Sequence, residues 1–266
     1  MKGTTEDLGA AGAALDLEPR FRNLRRWNIG VGLILAAQAV VIALLQNGFS
    51  IPVVATWMTG PPGTEPELHK IGDFPLGWGV FAFMAISALA LLIIASPGVF
   101  GWYKRNLLLN RNYGRWIEYS ISSSLMIVLI TMICGITDLA AMIAIFGVNA
   151  SMILFGLLME KYEQPGKANW LSFYFGCFAG VIPWIAVLIY VWSPGFGDQN
   201  PPGFVYGIIF SLFVFFNSFA VNMILQYKKV GKWRDYLFGE KVYIILSLTA
   251  KALLAWQIFA SVLATS

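Results

Sequence analysis

Two ionisable side chains, Lys251 and Glu118, stand inside long apolar stretches of the sequence. Lys251 is the single charged residue in 242–266, and no charged residue follows Glu118 over 119–137. A charge placed in the middle of a membrane span costs about 2.5–3.5 kcal/mol, so such residues usually serve a function. Because opposite charges attract strongly where the dielectric constant is low, we expect Lys251 and Glu118 to pair.

Helical spacing adds two hydroxyl groups to this pair. Ser247 lies four residues before Lys251, and Ser122 lies four residues after Glu118, so each shares a helix face with its charged neighbour. Three interpretations of the resulting polar cluster are open: a structural ion pair, the coupling site of a transporter, and a lysine that carries a covalent cofactor. The last is chemically reasonable because a desolvated lysine amine attacks aldehydes to form a Schiff base.

Composition indicates that the elements positioning this cluster are membrane helices. Of the 266 residues, 58% are hydrophobic and only 12% are charged, whereas soluble domains carry about 25% charged residues. So few charges cannot cover a soluble globule, which argues against soluble enzymes and basic nucleic-acid-binding proteins. We therefore predict no enzyme and no nucleic-acid partner, and we assign no metal site.

Long charge-free runs predict seven spans, since one span needs about 20 mostly apolar residues. The expected helices cover 27–47, 76–96, 112–134, 139–160, 171–192, 204–227 and 240–263. Turn-forming residues separate them, as at 96–98, 135, 193–195 and 201–203. The short alternating segments of a β-barrel are missing from the sequence, as is an internal repeat. The predicted fold is an all-α membrane protein, a seven-transmembrane-helix bundle.

The positions of the basic residues predict the orientation of this bundle. Sixteen of the 18 Lys and Arg residues fall on the side of the N-terminus, and Lys70 alone falls in a loop on the other side. Positive loops stay in the cytoplasm. We therefore expect a multi-pass protein of the cell membrane with a cytoplasmic N-terminus and an extracellular C-terminus. Residues 1–26 would form a cytoplasmic tail with a basic juxtamembrane segment, and 27–266 the bundle.

Smaller features give further expectations. The outer loop at 48–75 contains a Gly-Pro-Pro-Gly turn at 60–63 and is expected to form a short hairpin, with His69 as a solvated loop residue. Cys134 and Cys177 should lie at different depths and remain unpaired. Glu118 is expected to be the one carboxylate well inside a span, because Glu160 is placed at a helix end.

Seven spans with a lysine in the middle of the seventh resemble the retinal-binding rhodopsins, and the heliorhodopsins above all. The likeness extends from about Trp27 to Phe259. The segments that carry it are RWIEYSISSS at 115–124, ICGI at 133–136, IFGVNASMILFG at 145–156, PW at 183–184, PGFVYG at 202–207, FFNSF at 215–219 and LSLTAK at 246–251. Heliorhodopsins have a cytoplasmic N-terminus, in agreement with the charge distribution.

The resemblance implies all-trans retinal, bound covalently to Lys251 as a protonated Schiff base. Glu118 would be its counterion, with Ser247 hydrogen-bonded nearby and Ser122 in the same cluster. By position in the family motifs, the expected pocket walls are Tyr119, Ser123, Met126, Met152, Gly156, Trp184 and Phe216. Gly156 would leave room for the retinal ring, and Trp184 and Phe216 would sandwich the polyene.

The same comparison favours a light sensor over an ion pump. Pumping rhodopsins commonly carry an aspartate where this chain has Ser247, and proton pumps a second carboxylate where it has Leu129. We expect a light-sensing photoreceptor that signals, with a light-driven proton or ion transporter as the alternative. Some heliorhodopsins have histidines near an inner cavity, which this chain lacks, so Glu118 or water becomes the candidate proton acceptor. The expected partners are membrane lipid, a second copy in a homodimer and a cytoplasmic signalling protein.

Overall fold

Helices long and apolar enough to cross a membrane dominate the computed structural model, which describes residues 3–192 and 203–265. Its elements are α1 (Gly3–Leu45), β1 (Ser50–Trp57), β2 (Glu67–Pro75), α2 (Leu76–Ala95), α3 (Pro97–Leu108), α4 (Tyr113–Ile133), α5 (Leu139–Tyr162), α6 (Leu171–Trp192), α7 (Gly203–Tyr227) and α8 (Tyr236–Thr265). Within the described residues, seven stretches qualify as membrane spans, in every helix except α3. The prediction of an all-α seven-helix bundle is confirmed.

The first helix is longer than predicted. We expected it to begin near Trp27, after a tail, but α1 is continuous from Gly3. Its N-terminal extension packs against other elements, with Phe21 and Leu24 buried in the core and Glu18 2.6 Å from the ammonium of Lys104 on α3. Because burial of apolar side chains is the larger stabilising effect, the basic cluster at 20–26 interrupts the apolar pattern without ending the helix.

The turn predicted at 96–98 also starts a helix. Pro97 occupies the first turn of α3, where its fixed backbone angle and missing N–H are tolerated. The turn predicted at Gly135 is confirmed, since α4 ends at Ile133 and Gly135 has φ +97°. Residues 193–202, which include the other Pro-Gly turns, lie outside the described residues.

The loop between α1 and α2 forms the expected hairpin. β1 and β2 pair in antiparallel fashion, with an irregularity between Val53 and Val54. The backbone N–H of Val54 donates a 3.0 Å hydrogen bond to the carbonyl of Thr137, which fastens the hairpin to the α4–α5 connection. His69 is not simply solvated, because its ring stacks on Trp57 with centroids 4.0 Å apart.

Helix α4 lies in the interior of the bundle and packs against α2, α5 and α6, while α8 packs against α1, α2 and α7. Residues of α4 are buried along most of its length, including Ile127 and Leu129. By contrast, α5, α6 and α7 expose many large apolar side chains, such as Ile143, Phe178 and Phe210. These faces suit a hydrocarbon environment. The two helices that carry the charged pair therefore meet where lipid does not reach.

Candidate functional site

Lys251 and Glu118 pair across α8 and α4. The ammonium nitrogen of Lys251 donates to Glu118 Oε1 at 3.0 Å and to Ser247 Oγ at 2.8 Å. Only 3% of Lys251 and 8% of Glu118 is exposed. An isolated charge at this depth would be very unfavourable, and the partner charge together with the hydrogen bonds offsets that cost. The pairing and the position of Ser247 agree with what the spacing indicates.

A third helix contributes to the pair through Ser87, which the sequence analysis missed. Its hydroxyl lies 2.5 Å from Glu118 Oε1 and 2.9 Å from the carbonyl of Phe83. Ser87 is the single hydroxyl-bearing residue of α2, and that isolation in an apolar helix is a signal that could have identified it.

Ser122 does not join the hydrogen-bonded cluster. It is fully buried on α4, yet its hydroxyl has no hydrogen-bond partner within the described part of the chain. One helical turn separates Ser122 from Glu118, yet Ser122 makes no hydrogen bond to the Lys251–Glu118 pair. Helical spacing therefore predicts which side of the helix a residue occupies, but not which groups its side chain contacts.

A cavity of about 270 Å³ adjoins the pair. Lys251 and Ser247 lie on its wall, and the rest of the lining is mainly apolar and aromatic. All seven residues expected from the family motifs also line it, namely Tyr119, Ser123, Met126, Met152, Gly156, Trp184 and Phe216. Ligand sites in proteins are typically apolar cavities with a few placed polar groups, from about 300 Å³ upward. The cavity is therefore close to the size of a small ligand site.

The space beside Gly156 is taken by protein. A Cβ atom added at Gly156 would collide with the indole ring of Trp116, whose N–H donates to Glu160 Oε2 at 2.5 Å. The absence of a side chain at Gly156 therefore accommodates Trp116, and both residues line the cavity.

Trp184 and Phe216, the two rings expected to flank the polyene, meet edge to face in the structure. Their ring centroids are 5.6 Å apart with the planes nearly perpendicular, and Trp184 meets Phe213 in the same way at 5.2 Å. Edge-to-face contact at this distance is a preferred arrangement of aromatic pairs. Together with Phe213, the two rings form one continuous wall of the cavity.

Asn149 on α5 connects to the same region by hydrogen bonds across helices. Its side-chain amide donates to Ser123 Oγ and Ser124 Oγ, each at 3.0 Å. Ser123 in turn donates to the carbonyl of Tyr119 at 2.7 Å. Hydrogen bonds between membrane helices are modest in energy but directional. They hold the cavity wall formed by Tyr119 and Ser123 against α5.

A second buried charge cluster lies toward the N-terminal end of α4. Arg115 forms salt bridges with both Glu160 and Glu240, and all three side chains are at least 94% buried. Glu118 is therefore not the only buried carboxylate among the described residues. Glu160 and Glu240 are near the ends of their spans, but the packing of α4, α5 and α8 encloses them.

Comparison with known proteins decides the family. The family model described as Heliorhodopsin matches residues 24–263, which is nearly the whole chain. The chain belongs to the heliorhodopsin family. A comparison with curated proteins gave no significant match.

Membership of the heliorhodopsins makes this a retinal-binding, photoreceptor-type rhodopsin of a membrane. The residues present fit that cofactor. Retinal is an elongated apolar aldehyde, and the cavity offers an aromatic, apolar lining with one amine at its wall, that of Lys251. Cys134 and Cys177 are both free thiols, as their different depths in the sequence predict.

Proposed function

We propose that this heliorhodopsin is a light sensor, with all-trans retinal held on Lys251 as a protonated Schiff base and Glu118 as its counterion. The observation that carries the proposal is the position of the Lys251 nitrogen. It lies at the wall of the apolar cavity and, at the same time, 3.0 Å from the Glu118 carboxylate.

The chemistry assigns a role to each residue. Condensation of the Lys251 ammonium group with an aldehyde forms a C=N bond and releases one water, made of the aldehyde oxygen and two of the three hydrogens on nitrogen, so that the nitrogen keeps one proton. Glu118 compensates the positive charge, while Ser247 accepts a hydrogen bond from the nitrogen and Ser87 donates one to Glu118. Retinal, when bound, supplies light absorption and isomerisation, and the protein supplies orientation and electrostatics.

The aromatic wall has a mechanical role in this proposal. Tyr119 places its ring 4.8 Å from the Lys251 nitrogen, and its hydroxyl is fixed by a 3.1 Å hydrogen bond to the carbonyl of Tyr243 on α8. Trp184 and Phe216 close the wall at another part of the cavity. A chromophore between such rings can change shape only by displacing side chains, so a light-induced change is transmitted to α4 and α8.

Signalling is favoured over transport by the distribution of buried charge. Among the described residues, the buried charged side chains are Arg115, Glu118, Glu160, Glu240 and Lys251. After Glu118 in α4 and after Lys251 in α8, no further charged residue follows in the span. Directed proton transport needs ionisable groups on both sides of the Schiff base. Leu129, where pumps place a carboxylate, is fully buried in the apolar core.

The membrane arrangement follows from the same proposal. We infer a multi-pass protein of the cell membrane with the N-terminus in the cytoplasm and the hairpin outside, supported by the basic residues concentrated on one side of the bundle. The proposed domains are the N-terminal segment at 1–26 and the retinal-binding bundle at 27–266. In the structure, residues 3–26 form the start of α1. A homodimer in lipid and a signalling partner at the basic cytoplasmic face complete the proposal.

Adding all-trans retinal to the purified retinal-free protein tests the chromophore claim. We expect a visible absorption band in the wild type and none in Lys251→Ala. Lys241→Ala is the matched control, since Lys241 is on the same helix but its ammonium lies over Trp27, away from the cavity. A missing band in the wild type, or a band that survives Lys251→Ala, would overturn the proposal.

A further inference from the structure

A second, much smaller cavity lies beside Glu118. Its volume is about 20 Å³, and it is enclosed by α1, α2, α3, α4 and α8. Glu118 and Glu240 both line it, so it joins the Lys251 pair to the Arg115 cluster. A polar cavity needs about 10–15 Å³ to hold one water, which then makes 2–4 hydrogen bonds. This cavity therefore has room for about one water molecule.

Two buried donors at this cavity lack partners. Asn28 is 1% exposed, and neither its Nδ2 nor the Nε of Arg115 has a hydrogen-bond partner among the residues that the structure describes. Buried donors left unsatisfied are costly and therefore rare. A single water can accept from both donors and use its own two hydrogens toward Glu118 and Glu240. The residues that line the cavity therefore include two donors and two acceptors, which is the number of partners that one water can use.

The two carboxylates of the Arg115 cluster differ in how firmly their charge is held. Glu160 accepts from the backbone N–H of Asn112 at 2.8 Å, the indole of Trp116 at 2.5 Å, the hydroxyl of Tyr236 at 2.9 Å and a nitrogen of Arg115. Hydrogen bonds of this kind stabilise the charged form of a carboxylate.

Glu240 has fewer such contacts. It accepts from the amide of Asn112 at 2.6 Å and from the second terminal nitrogen of Arg115. Glu240 also lines the small cavity, which Glu160 does not. Because one guanidinium faces two carboxylates, the cluster carries excess negative charge when both are ionised. Glu240 is therefore the carboxylate that is better placed to gain a proton.

We propose that the small cavity holds one ordered water linking Glu118 to Glu240, and that Glu240 takes up the proton that the Lys251 nitrogen loses after illumination. The proposal rests on the function proposed above. An N–H bond breaks at Lys251, and an O–H bond forms at Glu240, with Glu118 and the water relaying the proton. The charge on the nitrogen and one negative charge of the cluster are lost together, so the net charge of the buried groups is unchanged.

Four tyrosine side chains also face the Arg115 cluster, but they do not act as the proton acceptor. They are the phenols of Tyr103, Tyr119, Tyr236 and Tyr243. Phenols are neutral at physiological pH, and burial raises the pKa of Tyr103, which lies on α3 outside the spans, still further above its usual value. Tyr236 donates a hydrogen bond to Glu160, and Tyr119 donates to the carbonyl of Tyr243. As neutral phenols, none of the four accepts the proton.

Infrared difference spectra of the pigment, light minus dark, test the acceptor. We expect a positive carboxylic-acid C=O band that shifts down in D2O and is lost in Glu240→Gln. Glu160→Gln is the matched control, because it removes the other carboxylate of Arg115 but leaves the cavity wall intact, and it should keep the band. A band that persists in Glu240→Gln, or one that Glu160→Gln removes instead, overturns the proposal.

A more conservative variant covers the case in which Glu240→Gln gives no pigment. Glu240→Asp keeps a carboxyl group at a new position, so the band should remain and change its frequency. An unchanged frequency would assign the band to another residue and overturn the proposal.

The water itself is tested in the retinal-free protein, independently of any pigment. A high-resolution experimental structure should show one density peak between Glu118 and Glu240, and Asn28→Leu should remove it. In the pigment, Asn28→Leu should slow the rise of the infrared band about tenfold, since the relay loses one hydrogen-bonded position. Absence of the peak in the wild type overturns this proposal, whereas absence of any retinal band overturns the proposed function.

Discussion

The hydroxyl of Ser87 lies 2.5 Å from the same Glu118 oxygen that accepts the hydrogen bond from Lys251. Three helices, α2, α4 and α8, therefore converge on one oxygen atom. Ser87 has an alternative acceptor in the carbonyl of Phe83 at 2.9 Å, and its single hydrogen is divided between the two. By donating to Glu118, the Ser87 hydroxyl reduces the negative charge that faces the lysine nitrogen.

Replacing Ser87 by alanine should shift the absorption of the pigment to shorter wavelength. Without the hydroxyl, the negative charge of Glu118 is less dispersed and holds the positive charge of the chromophore closer to the nitrogen. Absorption maxima of the two pigments measure the effect. Ser151→Ala is the control, because Ser151 is exposed on α5 and bonds only to its own helix, through Gly147. Equal maxima for Ser87→Ala and the wild type would contradict the prediction.

Removal of the counterion charge should have a larger effect. In Glu118→Gln the positive charge at Lys251 loses its anion, so the pigment should absorb at longer wavelength and lose its visible band at a lower alkaline pH than the wild type. In the retinal-free protein, an unpaired buried charge costs about 3–5 kcal/mol, measurable as reduced thermal stability. Spectra and melting curves that match the wild type would refute the role of Glu118.

The sequence was sufficient to find Lys251 and Glu118, because Lys251 interrupts a run in which no other charge occurs and Glu118 stands one to two turns inside the predicted span at 112–134. It could not find the Arg115 cluster. Glu160 and Glu240 stand where charge-free runs end, a position typical of residues at the membrane surface. Their burial depends on the way α4, α5 and α8 converge, and on the ring contact of Arg115 with Tyr243 at 3.7 Å. The way these helices converge depends on tertiary packing, which a local sequence pattern does not predict.

The difference between local sequence preferences and tertiary packing also explains which helix boundaries were predicted correctly. Turn residues predicted the hairpin and the end of α4 correctly, since their backbone preferences are local. The start of α1 was placed too late, because the burial of Phe21 and Leu24 against α3 is decided by a contact distant in sequence. The wall of the cavity was predicted residue by residue from the family motifs. The edge-to-face contact of Trp184 with Phe216 could not be predicted in this way, because it depends on the ring positions themselves.

Gly156 provides a prediction about packing. In Gly156→Ala the new methyl group collides with Trp116, and overpacking of this kind costs about 1–3 kcal/mol. The displaced indole would also weaken its hydrogen bond to Glu160. We expect a lower melting temperature and a lower yield of pigment.

Gly147 is the matched control on the same helix. A Cβ there meets nothing within 4 Å, so Gly147→Ala should leave the protein as stable as the wild type or stabilise it by about 0.5–1 kcal/mol through higher helix propensity. If the two alanine variants melted at the same temperature, the contact between Gly156 and Trp116 would have no energetic role.

Cys177 offers a chemical test of the cavity. It lines the cavity and is exposed, so a small apolar maleimide should label the Cys134→Ser variant, in which Cys177 is the one remaining thiol. Bound retinal should slow this labelling, because it would occupy the space through which the reagent reaches the sulfur. Labelling at equal rates with and without retinal would show that the ligand lies elsewhere.

Cys134 is the internal reference for that experiment, studied in Cys177→Ser. It lies beyond the end of α4, away from the cavity, so retinal should leave its labelling unchanged. Burial raises the pKa of its thiol to about 11. Since the thiolate is the reactive form, a raised pKa means little thiolate at pH 8 and a labelling rate that increases about tenfold per pH unit until the pH approaches that pKa. Rates that level off near pH 9 would show that the thiol is solvated, and that the end of α4 is more open than its packing indicates.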